Sequence, residues 1–117
     1  MSKNVLKEKS YQFAIQIVKL SQRLVKENKE FVLSKQLLRS GTAIGALIRE
    51  AEFAQSKPDF IHKMSISLKE ANETLYWLDL LKDTDYLDLI KHKELISKNK
   101  ELVAMLVSSI KTTKSRL

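Results

Sequence analysis

The residues with the most chemistry to offer are Asp59 and His62, three apart, with His92 further on; there is no other histidine and no cysteine in the 117 residues. A di-iron site inside a helical bundle needs two inward-facing Glu-x-x-His pairs and two further Glu. Asp59-x-x-His62 is a single near miss. Asp59 follows Ser56 and Pro58, so it reads as the acid that caps a helix start. His62 falls on a polar flank, and His92 sits in the basic run Lys91-His92-Lys93. Glu70 and Glu73, also three apart, could share a helix face. General acid–base work would need them in a pocket. With Lys63, Lys69 and Arg49 available, they read instead as ion-pair partners across helices or subunits. The absence of cysteine excludes disulfides, thiolate zinc sites and thiol catalysis. No serine has a histidine base and orienting acid in evident register. The sequence therefore predicts a protein that is not an enzyme, with no catalytic residue, metal or cofactor.

Gly41 and Gly45 pose a different question. A phosphate-binding loop would follow a strand and place a lysine after its glycines, and neither feature is present. Inside a helix each glycine costs about 0.5–1 kcal/mol relative to alanine. Close approach of a second helix, within the protomer or between protomers, is the compensation expected here, helped by the small Ser40 and Ala43.

The elements that must position these residues are helical. Two Gly, one Pro, 44% hydrophobic and 30% charged residues fit a nearly all-helical domain. Apolar spacing predicts a first helix over about Lys9–Glu27, carrying Phe13, Ile17, Leu20 and Leu24, and a second over about Val32–Gln55, carrying Leu33, Leu37, Ile44, Ile48 and Ala51. Ser56, Pro58 and Asp59 open a third that runs to about Lys82, and Asp88 or a neighbour opens a fourth ending near Thr113, with Leu95, Leu102, Leu106 and Ile110 inward. Joints this short force antiparallel neighbours, so residues 1–117 read as one all-α domain, an antiparallel up-down-up-down four-helix bundle. The longest nearly apolar run, Leu102–Val107, is far short of the ~20 residues that span a bilayer. MSKNVLKEKS lacks the apolar core of a secretory signal. No membrane association and a cytoplasmic location are expected.

The third helix is apolar on two sides. At about 100° per residue, Ile61, Met64, Leu68, Ala71, Leu75 and Leu78 share an arc. Ile66, Trp77 and Leu80 fall roughly opposite. A second apolar side facing solvent marks a subunit interface, with Ile66, Glu70, Glu73, Trp77 and Leu80 its candidates. The plainer alternative is an isolated surface tryptophan.

Charge is distributed unevenly within the net +7. Residues 1–29 hold seven basic and two acidic residues, residues 91–117 hold the same, and residues 30–90 hold seven basic against ten acidic. In an up-down bundle the first and last helices are neighbours, so their positive charge converges. Lys19, Arg23 and Lys26, with Lys7 and Lys9, come from one helix. Lys91, Lys93, Lys98, Lys100, Lys111, Lys114 and Arg116 come from the other. RNA or DNA is the partner expected, held mostly through phosphates because few aromatics interleave with the lysines. A merely solvated surface is the bland alternative.

Beyond composition and spacing, the wording itself is specific. It runs Lys9-Ser-Tyr-Gln-Phe-Ala14, then Ser34-Lys-Gln-Leu-Leu-Arg39-Ser-Gly41-Thr-Ala-Ile-Gly45, then Ile48-Arg-Glu-Ala-Glu52. Asp59-Phe-Ile-His-Lys63, Leu68-Lys-Glu-Ala-Asn-Glu-Thr74 and Tyr76-Trp-Leu78 follow. It resembles the small bacterial four-helix-bundle proteins encoded in intervening sequences of large-subunit ribosomal RNA genes, a family that includes the accessory protein of diversity-generating retroelements. The resemblance implies homo-oligomers, five-membered rings of four-helix protomers. It also implies nucleic-acid association and, for the retroelement members, a reverse-transcriptase partner. One departure stands out: Leu47 occupies the place of the family's usual asparagine. The expected function is a non-enzymatic, ring-forming, nucleic-acid-associated protein; the alternative is a protein-interaction scaffold that binds no nucleic acid.

Overall fold

The computed structural model describes residues 2–117, with side chains from Val5 onward; Met1 and the side chain of Lys3, one of the basic residues counted in the first segment, lie outside it. Four helices follow one another, α1 (Ser2–Asn28), α2 (Leu33–Glu52), α3 (Lys57–Asp83) and α4 (Leu89–Lys114). Each packs against its chain neighbour and α4 closes onto α1. The result is an antiparallel up-down-up-down bundle, a rod of 48 × 22 × 20 Å.

The helix ends follow from local chemistry. Ser56 accepts from the Asp59 amide (3.1 Å), Pro58 occupies the first turn, and Asp59 in turn accepts from the Gln55 amide (3.1 Å). Asp88 accepts from the Lys91 amide at 2.7 Å. These match the capping signals in the sequence. α3 stops at a Schellman motif: Asp85 takes a left-handed backbone (φ 69°), with Tyr86 N donating to Leu81 O and Asp85 N to Lys82 O. The start of α2 is capped by an unheralded residue. The Glu30 carboxylate accepts from the amides of Val32, Leu33 and Ser34 at 3.3, 3.1 and 2.7 Å. Burial works to raise the Glu30 pKa, but those amides together outweigh it and hold the carboxyl below the ordinary glutamate range.

Two predicted boundaries shift. α1 begins at Ser2 rather than near Lys9, and its extra turns bury Leu6. The charged run Lys7-Glu8-Lys9 masks that turn in the sequence. α2 ends at Glu52, because residues 53–56 are needed to cross to α3.

The core is apolar along Phe13, Ile17, Leu24, Leu37, Ile44, Leu78, Leu81, Leu95, Leu102 and Leu106, all essentially sealed from solvent. α3 presents a different stripe from the one expected. Met64, Ser67, Ala71, Thr74, Leu78 and Leu81 point inward, whereas Ile61, Leu68 and Leu75 are half-buried flanks. The inward polar residues are satisfied across helices. Ser67 donates to Ile44 O (2.9 Å), while Thr74 donates to Glu70 O (2.8 Å) and lies 3.0 Å from the Ser40 hydroxyl. Asn99 of α4 donates to Ala71 O at 3.2 Å, and its Oδ1 has no partner among the described residues.

Gly41 and Gly45 are explained within the protomer. A Cβ on Gly41 would stand 2.8 Å from Ile17 Cγ2, and one on Gly45 3.2 Å from Ser10 Oγ. Both glycines let α1 approach α2, and the segment is mid-helix rather than a loop.

Candidate nucleic-acid interface

The basic residues of α1 and α4 do not form one continuous strip. Lys9 Nζ meets Glu101 at 2.8 Å and Lys91 Nζ lies 3.3 Å from Gln16 Oε1, which fixes the antiparallel register of the two helices. On that register Lys19 lies level with the start of α4, near Lys91 and Lys93, and Arg23 and Lys26 lie one to two turns further on, level with the α3–α4 turn. Lys111, Lys114 and Arg116 gather at the opposite pole. Twenty residues of helix, about 30 Å, separate Lys91 from Lys111. Lys98 and Lys100 stand between, next to the paired Glu101.

Most of these side chains are open to solvent. Lys19, Lys26, Lys93, Lys98, Lys100, Lys111, Lys114 and Arg116 are exposed, and Arg23 and Lys91 are half-buried. Among the described residues only Lys91 of this set forms an ion pair, with Glu94 at 3.2 Å. Lys7 and Lys9, also counted in the basic convergence, are engaged by Glu52 (2.9 Å) and Glu101 (2.8 Å). Lys26, Lys111 and Lys114 also lie in last turns, where a cation complements the helix dipole. His92 does not extend the basic run. Its ring turns to α3, with Nε2 2.8 Å from Asp79 Oδ1.

The assembly candidates cluster on the α2–α3 side. Arg39 bridges Glu70, at 3.2 Å, and Glu73, and Trp77 Nε1 donates to the same Glu73 carboxylate at 3.0 Å. Tyr76 meets the Trp77 ring edge-on, centroids 5.0 Å apart. The Trp77 hydrogen bond and then the Arg39 contact hold the Glu73 carboxyl below its ordinary range, and Glu73 raises the Arg39 guanidinium in return. Of the expected cationic partners, Lys69 lends its charge to the field at Glu73, but Lys63 pairs with Glu50 (3.0 Å) and Arg49 lies over the Tyr11 ring at 5.2 Å. Ile66, Trp77 and Leu80 are half-buried in the protomer, and Tyr76, 59% exposed, is the more open aromatic of this face. Arg39 is invisible in this role from sequence because partner choice depends on the α2–α3 register. Leu47 is half-buried on α2.

The metal near miss comes apart in three dimensions, since Asp59 faces the Gln55 amide and His62 is exposed. Among the described residues no three His, Asp or Glu side chains converge as metal ligands. No described helix is long and apolar enough to cross a membrane.

A family model for the 23S rRNA-intervening sequence protein matches residues 2–108. The chain belongs to that family. The crystal structure of a protein of unknown function from the S23 ribosomal protein family of Bacteroides thetaiotaomicron VPI-5482 is 55% identical in sequence. It superposes with a TM-score of 0.94, over 95% of this chain and 99% of that one. No curated protein matches the chain. The intervening-sequence family match ends before Lys111, so the polar cluster of Lys111, Lys114 and Arg116 lies beyond the shared span.

Proposed function

We propose that this intervening-sequence family protein is a non-enzymatic, homo-oligomeric assembly protein that holds nucleic acid by its phosphates. The observation that carries the reading is the set of exposed cations on α1 and α4 that form no ion pair among the described residues, above all Lys19, Lys26 and Lys93 at one pole and Lys111 and Lys114 at the other. Two cationic clusters at opposite ends of a rod suit a polyanion that lies along it rather than a compact anionic ligand. A ring, pentameric as the family resemblance implies, would repeat both clusters around an axis and raise the local field. The α2–α3 face supports the subunit contact, with Trp77 already oriented by Glu73 and Tyr76 left open.

Filter binding with structured RNA and with duplex DNA tests the first half. Affinity should fall linearly on a log–log salt plot, and Lys19→Glu with Lys93→Glu should flatten the slope by about 0.9 for each duplex phosphate no longer neutralised. No salt-dependent binding at physiological ionic strength overturns it. Light scattering tests the second half. Trp77→Glu should lower the oligomeric mass with helicity retained, and a monomeric wild type refutes the assembly.

A protein-interaction scaffold that ignores nucleic acid is the second reading. Phe31, Val32, Leu89 and Ile90 favour it, all more than half exposed at the pole where α1 passes to α2 and α3 to α4. A reverse-transcriptase-type partner, by family analogy, would belong to this reading. A partner retained from nuclease-treated lysate and released by Ile90→Asp would support it.

A further inference from the structure

At the pole where α2 turns into α3, the bundle opens. No connecting segment joins α1 to α4 there, and a cleft of about 490 Å³ lies between the helices. That volume is in the range of small-molecule sites, which in bundles lie between helices. Its walls come from all four: Leu6 from α1, Ile48 from α2, Phe60 and Met64 from α3, and Met105 from α4. The floor is core, since Leu6, Ile48 and Met64 are each buried.

The rim is polar and its charge is one-sided. α4 lines it with Ser108, Ser109, Thr112 and Thr113, and Arg116 stands at the mouth. Thr113 donates to Ser109 O, but among the described residues the hydroxyls of Ser108, Ser109 and Thr112 have no partner. Among the described residues Glu52 is the single acid in the lining, and Lys7 already neutralises it at 2.9 Å. Arg116 has no ion pair among the described residues, and the Lys57 ammonium sits against its backbone carbonyl at 2.7 Å. An apolar interior beneath a hydroxylated, net cationic rim is complementary to one kind of occupant.

We infer that this cleft binds a small amphiphile, with an alkyl or aryl body against Phe60, Met64 and Met105 and a single anionic head at Arg116 and the α4 hydroxyls. The walls that would hold the body carry no part of the nucleic-acid surface, and only Arg116, at the head, is shared with it, so binding of an uncharged alkyl chain reports on the cleft alone.

Methionine-methyl NMR gives a direct readout, as two of the three methionines line the cleft. Decanoate, kept below its micelle concentration, should shift the Met64 and Met105 methyl signals saturably, and decanol should bind more weakly. Arg116→Gln should weaken decanoate about two- to fivefold, the scale of one exposed ionic contact, and leave decanol unchanged. Ser108→Trp, at an exposed rim position that does not threaten the fold, should block both ligands. Three results would overturn the inference: unshifted Met64 and Met105 signals, undiminished binding in Ser108→Trp, or binding that appears only after residues 1–4 are deleted, which would give the cleft to the chain's own N-terminal end.

Discussion

The two sides of α2 and the seam between α1 and α4 are built by opposite means. Around α2, almost every group is matched. Gly41 and Gly45 admit α1, Ser40 and Thr74 share a hydroxyl contact, Ser67 reaches Ile44 O, and Arg39 gathers Glu70 and Glu73. The α1–α4 seam is stitched by peripheral contacts such as Lys9–Glu101, opens into a cleft at one pole, and leaves most of its lysines without an ion pair among the described residues. One side specifies the fold, and the other keeps polar and cationic groups available for something outside it.

The widest expected contrast comes from overfilling the tight side. Gly41→Leu drives a branched side chain into Ile17, which is fully buried and cannot yield. A destabilisation of about 3 kcal/mol follows, read as a melting temperature lower by roughly 10 °C. If the melting temperature is unchanged, α1 and α2 do not approach as described. Next comes Thr74→Val, which keeps shape but leaves the buried Ser40 hydroxyl only its long contact to Leu37 O, at 3.4 Å. Denaturant unfolding should show a stability lower by about 1 kcal/mol.

A smaller effect should appear only in acid. Glu30 and Glu73 both have pKa values below the ordinary range when folded. Their contribution is therefore fully present above the unfolded value, about 4.3, and fades as pH falls through the folded values. Glu30→Gln should shrink the stability difference between pH 7 and acid, since α2 then lacks its three-amide acceptor at every pH. An unchanged acid limb by thermal melts would show that Glu30 is not titrating with folding. Smallest of all, Lys9→Ala on the open seam should cost under about 0.5 kcal/mol in the same melts, because an exposed ion pair contributes little. A large destabilisation there would erase the contrast between the two sides.

The sequence makes the fold legible where one residue decides a local outcome. Ser56 with Pro58, and Asp88, announce helix starts because capping is a matter of neighbours in the chain. The α3 core stripe is misplaced by periodicity because Ser67 and Thr74 look like surface residues until their partners on α2 are known. Arg39 and the cleft are equally hidden. Each depends on how far one helix is slid along another, or on what is absent between two helices, and no periodicity encodes either. Glu30 is local but still missed, because a glutamate two to four residues before the amides it accepts from is not one of the usual N-cap residues.

Asn99 bears on that sliding. Its amide reaches a single carbonyl, Ala71 O, from a site fully shut off from solvent. Oδ1 already lacks a partner among the described residues, so moving α4 by one turn, 5.4 Å along α3, would break the one hydrogen bond that holds the buried amide. The side chain thus behaves as a detent: it contributes little to how firmly the helices hold, and it fixes the one axial setting at which α4 comes to rest.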